Sequence, residues 1–249
     1  MKLITSFILI LYISAYSQEF TKPELDSLFN LYNRIKNPVT QDARIAPDTS
    51  VIKCGFSIVN SVRLNFDNFT PEQQQVLLKL FQRPDAQAEV ISPSGYFRVH
   101  YDTSGINQIR YNLQQLLEAL DSSYNFEVHT LGYPSPKDNG SGGDDKYDIY
   151  VRGVGSLYGY TELEGRISSS ENRYYSFMVI DNEFSHTASR GIDGARVTVA
   201  HELHHGIQIG NYTFSDPDTY FHELSSTAME EFVYDNINDY YYYMDDFFN

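Results

Sequence analysis

His201-Glu202-Leu203-His204-His205 is an H-E-x-x-H sequence, and it decides how the rest of the chain is interpreted. In a helix, the first and last histidines lie one turn apart on the same face, which is the spacing at which two imidazoles can bind one metal ion. Glu202 lies next to that face, where its carboxylate can accept a proton from a water molecule on the metal. The motif therefore predicts a metal site on a helix.

The residues around the motif favour a helix that is buried on one side. Asp193-Gly194 can cap its start. An apolar stripe follows at helical spacing, formed by Val197, Ala200, Leu203 and Ile207. We expect this stripe to face the core and the histidine pair to face a cleft. The alternative is a polar helix face that carries ordinary histidines.

A third metal ligand has to come from outside the motif. Gln208 and Asn211 stand where the metzincin pattern requires Gly and His, which excludes that class of site. A second helix is predicted over residues 221–231. One of its faces carries three polar side chains, Glu223, Thr227 and Glu230.

H-E-x-x-H followed by a glutamate on a second helix resembles the gluzincin zinc peptidases. More narrowly, residues 197–243 resemble a group of secreted bacterial proteins classed as metalloproteases. That group carries H-E-x-x-H-x-x-Q, then E-x-x-x-x-A-x-E, then Asn-Asp-Tyr-Tyr, which here are residues 201–208, 223–230 and 238–241. The resemblance extends back to about residue 90. A Trp usually precedes the second glutamate of the group, and Ala228 and Met229 stand there in this chain.

The resemblance implies His201, His205 and Glu223 as zinc ligands and Glu202 as the catalytic base. It also implies a zincin-like domain and a reaction in which water activated by zinc hydrolyses peptide bonds of a protein or peptide substrate. Ligand histidines usually donate their other N–H to a carboxylate, and Glu230 is the candidate for that partner, ahead of Thr227. The alternative for Glu230 is a charge that faces solvent.

Other histidines compete for the role of ligand. His204 points about 100° away from the pair in a regular helix and cannot join it. His222 could replace Glu223 as the third ligand, although the resemblance favours Glu223. The remaining histidines are scattered along the chain and are expected at the surface or hydrogen-bonded in the core; they include His100, His129 and His186.

Residues 1–17 have a short cationic start, an apolar run and an Ala15-Tyr16-Ser17 end. This pattern predicts a signal peptide, and hence a secreted protein. No cysteine directly follows, so no lipid anchor to a membrane is expected. The net charge of −15 argues against nucleic acid as a partner.

Cys54 is the only cysteine of the chain, which excludes an intrachain disulfide. A free cysteine is usually a small buried apolar residue. A thiolate is also a strong zinc ligand, and Cys54 in the fourth position of the site would keep an enzyme latent. That arrangement resembles the cysteine switch of matrix metalloproteinases, although the rest of that motif is absent here.

The predicted fold class is α+β, with a mixed sheet covered by helices. Residues 18–90 are interpreted as a helical pro-segment or a helical subdomain, with a boundary over residues 83–95, and residues 91–249 as the zincin-like domain. Helices are predicted over residues 23–35, from Pro71 onward and over 106–124, and strands over 96–101, 147–151, 158–163 and 174–180. The acidic, glycine-rich residues 138–145 predict a flexible surface loop or, alternatively, a Ca²⁺ site without EF-hand spacing.

Three functional hypotheses follow from these patterns. The leading one is a secreted zinc metalloendopeptidase. The others are an exported binding module whose zincin metal site is inactive or structural, and a metal-dependent hydrolase of non-peptide amides.

Overall fold

The computed structural model of the protein describes residues 20–37, 53–215 and 218–248. The predicted signal peptide and most of residues 37–50 lie outside these ranges. Within them the chain forms an α+β fold around one mixed, five-stranded sheet, which confirms the predicted fold class at that level. The described residues contain no helix that is long and apolar enough to cross a membrane.

The described helices are α1 (Lys22–Lys36), α2 (Phe56–Leu64), α3 (Pro71–Leu80), α4 (Leu113–Tyr124), α5 (Ile192–Asn211), α6 (Thr219–Tyr234) and α7 (Tyr241–Phe248). The strands are β1 (Ala88–Ile91), β2 (Phe97–Tyr101), β3 (Tyr147–Val151), β4 (Gly159–Arg166) and β5 (Tyr174–Ile180). Their spatial order is β1-β2-β3-β5-β4. The three central strands are parallel, and β1 and β4 are antiparallel edge strands.

The sheet is covered by helices on both faces because its central strands are apolar on both faces. In β5, Met178 and Ile180 belong to one core cluster, whereas Phe177 and Val179 belong to another. Neighbouring side chains of a strand point to opposite faces, so these two clusters lie on opposite sides of the sheet. The first cluster contains α4 and α5, and the second contains residues of α1, α2 and α3. Helix α6 packs against α5.

Local signals account for several element boundaries. Helix α3 starts at Pro71, with a capping box between Thr70 and Gln73. The helix predicted over residues 106–124 begins only at Leu113, because the side chain of Asn112 accepts a hydrogen bond from the Gln115 backbone N–H at 3.0 Å and caps it there.

Some elements differ from the predicted pattern. Helix α5 begins at Ile192, so Asp193 lies in its first turn and not at the cap. Helix α2, strand β1 and helix α7 were not predicted. Strand β1 lies inside the boundary predicted over residues 83–95 and pairs with β2. Helices α1–α3 share a core cluster with the sheet, and whether residues 18–90 are cleaved off stays a prediction.

A buried ionic cluster ties the N-terminal helices to β4. Glu162 is fully buried and accepts hydrogen bonds from Tyr32 at 2.7 Å, Lys36 at 2.5 Å and Arg63 at 2.8 Å. Burial would raise the pKa of Glu162, but the adjacent Lys36 and Arg63 outweigh burial and lower it. The carboxylate is therefore ionised at neutral pH and joins α1 and α2 to the sheet.

We expect Glu162→Gln to lower the free energy of unfolding by about 3–5 kcal/mol, because it leaves Lys36 and Arg63 buried without a counter-charge. Chemical denaturation at pH 7 measures this change. Glu171→Gln is the matched control, since the Glu171–Arg173 pair is largely exposed and should contribute less than about 1 kcal/mol. Equal losses in the two variants would contradict the role given to Glu162.

Candidate metal centre

Helix α5 holds the H-E-x-x-H motif in the interior of the protein. From Gly194 to Gly210 every residue of the helix except Arg196 is buried. The helix lies close to the sheet at Gly206, where an added Cβ would be 2.5 Å from the Tyr147 hydroxyl oxygen. Glycine at this position therefore permits the close approach of α5 to β3. The predicted apolar stripe is buried, but the histidine face is covered as well, contrary to the expectation of an open cleft.

The two motif histidines present the same nitrogen to a common point. Their Nε2 atoms lie 3.1 Å apart. His201 Nδ1–H donates to Glu230 Oε1 at 2.7 Å, and His205 Nδ1–H donates to Gln208 Oε1 at 3.0 Å. With both Nδ1 atoms used as donors, each neutral imidazole directs the lone pair of Nε2 at the other. A proton on one Nε2 atom, or a metal ion bound by both, avoids the repulsion of two facing lone pairs at this distance.

Helix α6 brings a carboxylate to the same point. Glu223 Oε2 lies 3.2 Å from His201 Nε2 and 3.6 Å from His205 Nε2. Burial would raise the pKa of Glu223, but the two histidines outweigh burial and lower it below its usual range. Burial would lower the pKa of His201, but its hydrogen bonds with Glu223 and Glu230 raise it to about 10. Both shifts express the attraction of a carboxylate for positive charge at this point.

Cys54, from the N-terminal part of the chain, is the fourth member of the cluster. Its Sγ atom lies 3.6 Å from His205 Nε2. Among the described residues, one group could hold a metal ion, with ligand atoms that all lie within 4.8 Å of one another: Cys54, His201, His205 and Glu223. Bonds of about 2.0–2.3 Å to a tetrahedral zinc place neighbouring ligand atoms about 3.3–3.6 Å apart. The types of donor atom fit a zinc ion, and the four separations of 3.1–3.6 Å given above lie close to this range, whereas the full set spans up to 4.8 Å.

Glu202 lies at the edge of this cluster and is 1% exposed. Its Oε1 atom accepts a hydrogen bond from Cys54 Sγ at 3.1 Å. Its Oε2 atom is buried and has no hydrogen-bond partner among the described residues. Burial raises the pKa of Glu202. A buried carboxylate oxygen without a partner next to a set of metal ligands is suited to accept a proton from a bound molecule.

Further polar groups form hydrogen bonds with the possible ligands and with Glu230. Glu230 also accepts a hydrogen bond from Lys53, which reaches Asp239 at 2.6 Å as well. Ser226 lies 3.1 Å from His205 Nδ1. The predicted partnership between a ligand histidine and Glu230 is present in the geometry. Sequence reasoning missed the roles of Lys53, Gln208 and Ser226, although Gln208 belongs to the motif that carries the resemblance.

The competing histidines lie outside the cluster. His204 Nδ1 lies 2.9 Å from Glu127 Oε2, and burial lowers the pKa of His204 to about 3. His222 lies near the aromatic rings of Phe56 and Phe214, and it is not among the possible ligands. Thr227, the weaker candidate for a histidine partner, is partly buried on α6, and His201 has Glu230 as its partner. His201, His205 and Glu223 are thus the predicted ligands that the structure brings together.

The acidic loop and the scattered histidines take part in ordinary ion pairs, hydrogen bonds and ring contacts. In the acidic loop over residues 138–145, Asp138 pairs with Arg83 and Asp144 pairs with Arg98. His100 Nε2 lies 2.7 Å from a carboxylate oxygen of Asp148, His186 Nε2 lies 3.1 Å from the Leu157 carbonyl oxygen, and His129 packs against the ring of Tyr124.

Comparison with protein-family models, with curated proteins and with solved structures finds no match for this chain. The interpretation of the cluster therefore depends on its own residues and their geometry.

We expect Glu230→Gln to weaken binding of a divalent metal by about 10–100-fold, because it removes the charged acceptor that orients His201. Titration with Zn²⁺ against a competing chelator measures the affinity. Glu231→Gln is the control, since the Glu231 carboxyl group pairs with Asp235 and is not among the possible metal ligands. Equal affinities of wild type and Glu230→Gln would contradict a positioning role for Glu230.

Proposed function

We propose that this protein is a secreted zinc metallopeptidase of the zincin type. One observation carries the proposal: the ligand atoms of His201, His205 and Glu223 meet at one buried point, and the unpaired Oε2 atom of Glu202 lies beside them. Two histidines and a glutamate form a known set of protein ligands for catalytic zinc. The predicted signal peptide supports the secreted location.

The residues of the site fit the division of roles that hydrolysis requires. Zinc, when held by His201, His205 and Glu223, acts as a Lewis acid toward water and toward the substrate carbonyl group. Glu202 serves as the base that accepts the proton of the attacking water. The same carboxyl group then donates that proton to the leaving amine. The buried position of Glu202 raises its pKa and so favours both halves of this transfer.

The fold is compatible with this reaction. The helix with the motif packs under an open sheet, and the edge strand β4 lies beside it. An edge strand carries backbone N–H and C=O groups that can pair with an extended peptide. In the structure residues 53–55 and Asn60 pair with this edge, so a peptide substrate would take their place along β4 to lie next to the metal cluster.

The presence of Cys54 in the cluster favours a second candidate function. Zinc held by four protein ligands is typical of structural sites, whereas catalytic sites keep one position open. An exported binding module with a structural zinc site would have the same ligands. Only the peptidase requires Glu202 for turnover, so Glu202 distinguishes the two functions.

The chain should bind one zinc ion, and His201→Ala, His205→Ala and Glu223→Ala should each weaken binding by more than about 100-fold, beyond the effect of losing an outer partner. His204→Ala is the matched control and should leave the affinity little changed. Binding should also weaken as the pH falls below about 6, because imidazoles must be neutral to bind the metal. Metal content after dialysis and competition titrations measure these effects.

Retention of zinc in Glu223→Ala together with its loss in His222→Ala would replace Glu223 by His222 as the third ligand. Retention in all three ligand variants would refute the site.

Glu202→Gln should keep zinc but lose nearly all hydrolysis of a peptide library, because the amide has the shape of the carboxyl group and cannot accept a proton. Zinc content and hydrolysis are measured for wild type and Glu202→Gln, and again for both chains with Cys54→Ala added, since Cys54 contacts Glu202. Mass spectrometry of the library with and without a chelator detects cleavage. Equal cleavage with and without the Glu202→Gln substitution in both backgrounds would rule out the mechanism. No hydrolysis by any chain of either the peptide library or a small activated ester would favour the binding module.

A further inference from the structure

The segment of residues 53–60 lies across the metal cluster and along the outer edge of β4. It begins with Lys53, whose ammonium group is held by Glu230 and Asp239. Next comes Cys54, inside the cluster. The segment then enters α2 at Phe56, whose ring stacks on the His205 imidazole with centroids 3.9 Å apart. Lys53, Cys54 and Phe56 thus each contact the site or the groups that orient it.

Backbone pairing fixes the position of Cys54. The Tyr158 N–H donates to the Lys53 carbonyl at 3.0 Å, and the Gly55 N–H donates to the Gly159 carbonyl at 2.9 Å. A Cβ at Gly55 would lie 2.8 Å from Leu157 Cδ1, so only glycine lets the chain come this close without displacing its neighbours. The thiol is held against the site by main-chain contacts, in addition to its own packing.

The side chain of Asn60 continues the pairing farther along β4. Its amide donates to the Thr161 carbonyl at 3.0 Å and accepts a hydrogen bond from the Leu163 N–H at 2.9 Å. An amide side chain that donates and accepts in this way occupies the place of a peptide group in a neighbouring strand. Strand β4 is an edge strand, so these are the groups with which an extended peptide would pair.

We infer that Cys54 is the fourth protein ligand of the zinc ion and that residues 53–60 close the site to substrate. The inference rests on the proposed zinc site and adds how that site is regulated. The thiolate takes the position that water needs, and the backbone of residues 53–55 together with Asn60 takes the edge of β4 that a peptide needs. Activity then requires Cys54 to leave the cluster.

The cluster contains features that a merely buried cysteine does not explain. Cys54 Sγ contacts Glu202 and His205, both of which the reaction uses. Cys54 also packs in an apolar cluster with Phe56 and Ile209, but apolar packing does not require its contacts with these two ionisable side chains. The unpaired, buried Oε2 atom of Glu202 is an independent sign that the cluster accommodates a further group.

The test replaces zinc by Co²⁺ in the full chain, because a cobalt–thiolate bond absorbs in the near ultraviolet. The wild-type chain should show this sulfur-to-cobalt absorption, and Cys54→Ala and Cys54→Ser should lack it while keeping one cobalt per chain. Azide is then added as a small anion that binds an open position. It should change the visible spectrum of both variants and leave that of wild type unchanged. Far-ultraviolet circular dichroism checks that the variants are folded.

Hydrolysis provides the second readout. Cys54→Ala frees the fourth position of the zinc ion but leaves the backbone of residues 53–55 and Asn60 on the edge of β4. It should therefore hydrolyse a small activated ester, which needs no pairing with a strand, at least about tenfold faster than wild type. Absence of the sulfur–cobalt absorption in wild type, or an equal response of wild type and variants to azide, would overturn the inference. Sulfur absorption and azide exclusion without ester hydrolysis by any chain would instead contradict the proposed hydrolytic zinc site and leave the ligand assignment standing.

Discussion

The polar face of a buried helix is the constraint on which the rest of the structure depends. Helix α5 is surrounded by protein along the motif, so each polar atom of His201, Glu202, His204 and His205 loses water and needs a partner. The partners come from distant parts of the chain: the π-helical turn over Asn125–Thr130 carries Glu127, α6 carries Glu223 and Glu230, and residue 54 lies before α2. Much of the architecture around α5 therefore serves to satisfy one helix face.

The buried carboxylates of the same cluster also need positive charge beside them. Lys53 compensates the carboxylates of Glu230 and Asp239, both of which are buried. Glu223 has the imidazoles of His201 and His205 as its only positive neighbours in the cluster as described, and it draws a proton onto His201. A divalent cation would replace that proton, allow both imidazoles to be neutral and bind Glu223 directly. Protons and metal thus compete for the same nitrogen atoms.

How much of this was predictable depends on the distance along the chain between interacting residues. The spacing of His201 and His205, the helix start at Pro71 and the strand over residues 174–180 depend on local signals, and each is present in the structure. Helix α2 was missed because it has no side-chain cap at its start and is apolar on several sides, so that its formation depends on packing against β4. Contacts such as Cys54 with His205, or His204 with Glu127, join residues far apart in sequence, and periodicity does not encode them.

The N-terminal helices cover one face of the sheet and also continue from the segment that lies over the metal cluster. Both facts limit how the site can open. Val59 and Val62 of α2 are fully buried in the cluster that covers Phe177 and Val179 of β5. Removal of this whole layer would expose an apolar face of the sheet to water, at a cost of about 25 cal/mol for each Å² uncovered. Residues 53–55 lie before α2 and are held mainly by hydrogen bonds and by the ion pairs of Lys53. A local displacement of these residues would move the Cys54 thiol away from the metal cluster and keep the core intact, so release of the thiol by a short segment is physically easier than release of the entire N-terminal region.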